Sequence, residues 1–440
     1  MALEVSYVGR LSHRLLTQED AATPLDLRDK ASGIDYFTAV DALAKLYRQP
    51  SQGGAGVTDA TFSNSMLPAN VVKYWQDMIG TLAPPSAANG GAGGAYALGS
   101  SGGCGAGPSS TTNPVLAAFD LFCGSNLNET TGLFDLDFAG IPDANNASNV
   151  YFPTTGQYSF YNPQYATLYA WRSMGMANYN ALQVTLKHRM SRGIQFDFNY
   201  TFSKSIDLAS DAERVGNATS SSPSGGLGSQ IINAWDPYQF RAVSDFDATH
   251  QFNADWVADL PFGRGGKFRP DANKALNAVI GRWQLSGLFR ITSGFPFSVG
   301  NGAQWPTDWD LPGNAYQTAP VQTGVFHNPA DPSVVNAFSN FSSAQASFVE
   351  PLPGQAGVRN TLRGDGYFSI DMGLSKRWIM PWAEKQSLQF RWEVFNISNS
   401  VRFDVQSINA SVDTFGSTFG QYTRLSTNPR VMQFALRYEF

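Results

Sequence analysis

Between residues 194 and 202 the chain reads Ile194-Gln195-Phe196-Asp197-Phe198-Asn199-Tyr200-Thr201-Phe202. Every even position is bulky and mostly aromatic; every odd one is polar. Successive side chains of a β-strand point to opposite sides, so this period of two marks a strand whose faces meet unlike surroundings. The pattern recurs along the chain. Phe252, Ala254, Trp256, Ala258 and Leu260 oppose Gln251, Asn253, Asp255 and Asp259, with Val257 interrupting the polar row. Leu388, Phe390, Trp392 and Val394 oppose Gln389, Arg391 and Glu393. Phe368 to Leu374, Trp283 to Ile291, Leu182 to Leu186, Leu3 to Tyr7 and the last ten residues repeat it, giving eight strands.

Alternation does not say which face lies inside. A soluble sandwich or ligand-holding barrel would turn its apolar row inward. Here the apolar row is unusually aromatic, and the opposite row carries Asp197, Asp255, Asp371, Arg391 and Glu393 among amides and hydroxyls. Lipid outside and a wet or plugged lumen inside suit that division. The connections point the same way. Short links fall near 190–193 and 379–387, and a moderate one at 261–281. They alternate with long ones near 9–180, 204–246, 299–366 and 399–430. Outer-membrane barrels sort their connections like this, with short periplasmic turns and long external loops.

Composition narrows the alternatives. Charged residues are 15% of the 440 and aromatics 13%, and the formal net charge is −5. Charge is sparse for a soluble domain, and no basic field exists to hold nucleic acid. Mean hydropathy is −0.22, and no apolar run approaches the length of a spanning helix. Met1 to Tyr7 has neither the basic start nor the apolar core of an export signal and reads as a strand under way. Within the long connections, Asp35–Arg48 and Pro68–Gly80 have the spacing of short amphipathic helices. Residues 84–108 and 220–229 are rich in small residues and read as flexible. No second globular domain is apparent.

The chain closes Met432, Phe434, Leu436, Tyr438, Phe440 on one face. An aromatic last residue on an alternating strand resembles the signal read by the barrel-assembly machinery of Gram-negative outer membranes. Further stretches carry a wider resemblance: ALQVTLK (181–187), QFDFNYTFSKSID (195–207), SDFDATHQ (244–251), LPFGRGG (260–266), WQLSGLFRITSGFP (283–296) and RWEVFNISN (391–399). In this order they resemble the carboxyl-terminal barrel of TonB-dependent outer-membrane receptors, of the Oar-like group. The resemblance implies an all-β, antiparallel transmembrane barrel segment within a plugged barrel of about 22 strands. It also implies import of a scarce extracellular nutrient with energy passed from an inner-membrane complex. The chain departs from that pattern in having about eight strands and no recognisable plug, energy-coupling segment or signal peptide. The expectation is therefore the carboxyl-terminal part of a longer receptor: residues 10–179 a long extracellular loop region with short helices, residues 180–440 seven strands. Such a part would not transport by itself, and the energy-coupling complex would act only through an amino-terminal portion. A different reading is a self-contained eight-stranded barrel serving as adhesin or structural surface protein.

Candidate site residues are few. Trp305, Asp308, Trp309 and Asp310, on an external loop, are the ligand-contact candidates, since exposed indoles beside carboxylates can stack on a sugar or grip a peptide; aromatic loops that merely fold on each other are the simpler reading. Cys104 and Cys123 form a disulfide candidate, against two unpaired thiols. Asp207, Asp211, Glu213, Asp245 and Asp247 gather near the loop ends and read as solvated carboxylates. Asp135, Asp137, Asp143 and Asn145 lack the regular spacing of a Ca²⁺ loop. No catalytic constellation, cofactor motif or metal set is expected. Trp256, Trp283, Trp378 and Trp382 are expected in interfacial girdles.

Overall fold

A computed structural model describes residues 1–20, 28–50, 53–80, 96–98, 104, 110–124, 141–143, 146–151, 169–210, 231, 236–301, 306–308, 311–328, 331–380, 382–412 and 418–440. Its frame is a chain of antiparallel hairpins: β1 (Ala2–Asp20), β2 (Tyr169–Ser191), β3 (Ile194–Asp207), β4 (His250–Asp259), β5 (Trp283–Thr292), β6 (Tyr367–Met380), β7 (Ala383–Phe395) and β8 (Val431–Glu439). They pair in sequence order, and a two-residue strand, Ala242–Val243, adds to the upper end of β3. All eight strands expected from alternation are present and in order.

The short turns explain the register. Ser191 pairs with Ile194, so Arg192 and Gly193 alone make the β2–β3 turn, with φ of 52° and 81°. Positive φ at both positions gives the primed turn whose twist matches the flanking strands. Ile379 pairs with Ser387 across the β6–β7 connection, at the two ends of the 379–387 link expected, and Met380 pairs with Ala383 beyond a break in register. The β4–β5 turn holds a short helix, α4 (Lys274–Ile280), capped by the Asn273 side chain accepting from Leu276 N at 2.8 Å.

The outward row forms an aromatic ladder. Ring centroids of Phe198–Phe252, Phe252–Phe289 and Phe289–Phe368 lie 6.2, 5.7 and 5.6 Å apart. Such pairs add about 0.5–1.5 kcal/mol each beyond area burial. Opposite Trp256, Gly287 is the residue that lets the indole lie flat on the sheet: a Cβ there would come 2.1 Å from the ring. The other face carries polar ladders, such as Thr185 Oγ1 donating to Asn199 Oδ1 and Asn199 Nδ2 donating to Asp197 Oδ1, both at 2.8 Å.

Two boundaries differ from the sequence reading. β1 runs to Asp20 and β2 starts at Tyr169, so the first connection spans 21–168 instead of 10–179. Gly9 to Asp20 and 169–180 mix polar residues on both faces. A hairpin arm with similar surroundings on either side has no alternation to detect.

The first connection is also more than loop with short helices. α1 (Tyr36–Tyr47), α2 (Ala69–Ile79) and α3 (Pro114–Gly124) pack on one another. Tyr36, Leu43, Tyr74, Trp75, Phe119 and Phe122 are fully buried between them. α1 begins where Asp35 accepts from Thr38 N at 2.9 Å, and α3 where Asn113 accepts from Val115 N at 3.1 Å. This is a small apolar core within the region expected to be a long loop with short helices. Residues 84–95, read as flexible, and 220–229 lie outside the described residues.

Candidate ligand-binding loop layer

Above the sheet the long connections are fastened to each other by arginines. Arg359, from the β5–β6 connection, donates to the Asp207 carboxylate at the end of β3, to the Asp207 carbonyl at 3.1 Å and to Ser210 Oγ at 3.0 Å. Its second carboxylate, Asp245, is 3.4 Å away on the β3–β4 connection, and its guanidinium lies 5.1 Å from the Phe240 ring. The neighbouring Asn360 Nδ2 donates to Val243 O at 2.7 Å. Arg363 pairs with Asp247 and also donates to the carbonyls of Asp247 and Gly294 at 2.9 and 3.0 Å. Arg402, from the β7–β8 connection, reaches Asp365 at 3.2 Å. Asp365 takes the Phe403 amide at 2.9 Å, while its own amide donates to the Tyr422 hydroxyl at 3.0 Å.

Charges this deep persist only when paired and hydrogen-bonded. The Arg359 and Asp207 side chains are 5% and 6% exposed. The reading of Asp207 and Asp247 as solvated carboxylates is therefore corrected: they are the counterions that seat Arg359 and Arg363, while Asp245 stays partly exposed beside Arg359. Burial raises the Asp245 carboxyl, with Arg359 opposing the shift. Burial also pushes the Tyr422 phenol up to about 12, which keeps it neutral where it receives the Asp365 amide. Asp211 and Glu213 lie outside the described residues.

The helical core joins the same layer. Arg48 donates to the carbonyls of Glu350 and Pro351, at 3.3 and 3.1 Å. Gln239 donates to Gly354 O at 3.2 Å and accepts from Ala356 N at 2.7 Å. Residues 350–365 thus form a hub touched by three other connections. A second apolar core, with Phe297, Phe338, Phe348, Phe419 and Tyr422, packs the β5–β6 and β7–β8 connections together.

Of the ligand-contact candidates, Trp305, Trp309 and Asp310 lie outside the described residues. Asp308 closes a short strand, Pro306–Asp308, that pairs with Leu311–Pro312. Cys104 and Cys123 are brought together with Cα atoms 5.6 Å apart, a span that a disulfide bridges, beside the core of α1–α3. Of the weighed Ca²⁺ residues only Asp143 is described, in the short strand Ile141–Asp143. Phe434, Leu436, Tyr438 and Phe440 stand on the free edge at 69%, 68%, 48% and 94% exposure, open to whatever reads them.

At the end of the sheet that carries the short turns, Trp283 and Trp378 donate their indole N–H groups to Val279 O and Ala278 O, at 2.8 and 2.7 Å. Lys376, on the outward row, sits over both rings and donates to Val279 O at 3.0 Å. Sequence reasoning passed over Lys376, which interrupts the apolar row of β6 between Leu374 and Trp378. Trp382, at the β6–β7 turn, donates to Gln386 Oε1 at 2.9 Å. Trp256 lies within the strand, over Gly287.

A family profile described as an outer membrane beta barrel domain matches residues 122–433. The chain belongs to that family. Its sheet is therefore an outer-membrane one, with the apolar row toward lipid. No curated protein sequence matches the chain. Among solved structures, the outer membrane transporter YddB from Escherichia coli is similar over 61% of this chain at 10% identity, with a TM-score of 0.27. The chain spans 26% of that transporter's length.

Proposed function

We propose that the eight strands form part of the wall of an Oar-like TonB-dependent receptor, and that the arginine-fastened layer is its extracellular ligand-capturing surface. The observation that carries this reading is the pair of free sheet edges. β1 pairs only with β2, and β8 only with β7, among the described residues. A self-contained eight-stranded barrel would join β1 to β8. Two open edges instead suit a wider barrel that supplies neighbours on both sides, since exposed edges otherwise invite aggregation. The inward charges fit the wider form too, because a narrow lumen would crowd them without water. On this reading the barrel-assembly machinery takes the Phe434-to-Phe440 row, and the 305–310 segment contacts an extracellular ligand. An inner-membrane complex would supply energy through a plug.

The test is uptake in the source cells, using a panel of labelled iron chelates, vitamins and oligosaccharides. Deleting the gene should abolish uptake of at least one of them. Collapsing the proton-motive force should abolish the same uptake. Gene-dependent uptake that survives the collapse would contradict energy coupling.

A further inference from the structure

On the lipid-facing side of β3 the row Ile194, Phe196, Phe198, Tyr200, Phe202 is interrupted at Lys204, with Ile206 beyond it. The stretch from Ile194 to Phe202 reaches the low end of the roughly nine to eleven residues that a tilted strand needs to cross the apolar band. β2 changes character at the same place. Leu182 pairs with Phe202, and the next outward pair is Asn180 with Lys204. One step further stands Asn178, whose Oδ1 accepts from Arg241 Nη2 at 2.8 Å. The Arg241 guanidinium is thus held on the outward face, from the connection that follows β3. Asn180 in turn accepts from the Tyr7 hydroxyl at 2.6 Å, so β1 closes the far side.

Both cations are exposed, and neither has an ion pair among the described residues. The carboxylate nearest in sequence, Asp207, points to the opposite face of β3 and is taken by Arg359. Two positive groups with no ion pair among the described residues therefore stand beyond the apolar row, on the side of the long connections. Asn178 and Asn180, roughly 7 Å apart on one face, lie between them. Basic groups clustered at a membrane boundary attract anionic headgroups, and a guanidinium held by an amide is pre-aimed for a phosphate.

We infer that Lys204 and Arg241, with Asn178 and Asn180 between them, bind the phosphate of an outer-leaflet glycolipid on the membrane-facing wall of the sheet. The site rests on the outward facing of β2 and β3 and not on transport, so it stands or falls apart from the receptor reading.

The test uses the full chain purified from outer membranes and exchanged into phosphatidylcholine vesicles containing bisphosphorylated lipid A. Lipid A retained after detergent exchange is counted by native mass spectrometry. The pair K204Q/R241Q should lower retention at least fivefold. K267Q/K274Q, which removes two charges from the β4–β5 turn at the other end, should leave it within twofold of the unaltered chain. The charge-keeping swap K204R/R241K should retain lipid A, and it covers the case in which the neutral pair folds poorly. Vesicles with lipid A stripped of its phosphates should give low retention in every variant. Equal retention by K204Q/R241Q and the unaltered chain would overturn the site. So would equal losses in the two neutral pairs, or full retention of the phosphate-free lipid.

Discussion

The sheet and the loop layer use the same residue types in opposite ways. In the sheet, large apolar side chains face outward: Leu3 is 66% exposed, Phe434 69% and Leu436 68%. In the layer, Trp75, Phe119, Phe338 and Phe419 are fully or almost fully buried, as in a water-soluble protein. Charges are inverted as well. Those of the sheet are partly open, as in the Lys187–Asp197 pair at 3.2 Å, whereas Arg359 and Asp207 are sealed. One chain thus folds against two solvents, and the boundary between them runs across the upper ends of β2 and β3.

The largest effect should come from breaking the sealed charges. Arg359→Ala leaves Asp207 buried without its cation and should destabilise the layer by about 3–5 kcal/mol. Hydrogen exchange should then rise across the connections while β3 to β7 stay protected. Uniform loosening of the sheet would mean that the two regions are not separate in stability.

Next comes the lipid face. Phe198→Arg, at the middle of the outward row of β3, should cost about 2–4 kcal/mol of folding into lipid vesicles. Asp197→Asn, one residue away, removes one charge of a partly exposed pair, keeps an acceptor for Asn199, and should cost about 1 kcal/mol or less. Equal costs would defeat the assignment of faces.

We also propose that Cys104 and Cys123 are bridged in the exported protein. Peptide mapping without reduction should recover them linked, and Cys123→Ser should weaken the α1–α3 core by about 2–3 kcal/mol. Two free thiols would remove that claim without touching the sheet.

A further effect is a pH dependence of the helical core. Burial and the adjacent Asp120 carboxyl push Asp59 up to about 7, from an ordinary value of 3.8. The folded core therefore holds a proton that the unfolded chain gives up first, and it loses stability as pH rises from near 4 toward 7. Asp59→Asn should flatten thermal unfolding of the core across that range; an unchanged slope would place the titration elsewhere.

The sequence made the sheet legible because lipid and lumen impose opposite demands on alternate residues. The Ile194–Phe202 row and the terminal Met432–Phe440 row are written in that code. The arms of β1 and β2 beyond Gly9 and before Asn180 were hidden, since polar residues stand on both of their faces. In the layer, α1 and α2 were visible singly through their spacing. α3 was not, because Val115-Leu116-Ala117-Ala118-Phe119 is apolar without a period. The pairing of Arg359, Arg363 and Arg402 with Asp207, Asp247 and Asp365 joins positions far apart in the chain, and no local motif announces it. Asp207 and Asp247 looked solvated because each stands in polar loop sequence; only the fold brings an arginine to it.

The central claim is that alternate residues of β3 face lipid and lumen. Spin labels placed singly at residues 194 to 202, through substitutions such as Phe198→Cys and Asn199→Cys with Cys104 and Cys123 replaced by Ser, report it directly in lipid vesicles. Even positions should be reached by dissolved oxygen and odd positions by a water-soluble nickel complex, with a period of two across all nine sites. The opposite phase, or nickel access at every site, would contradict the account.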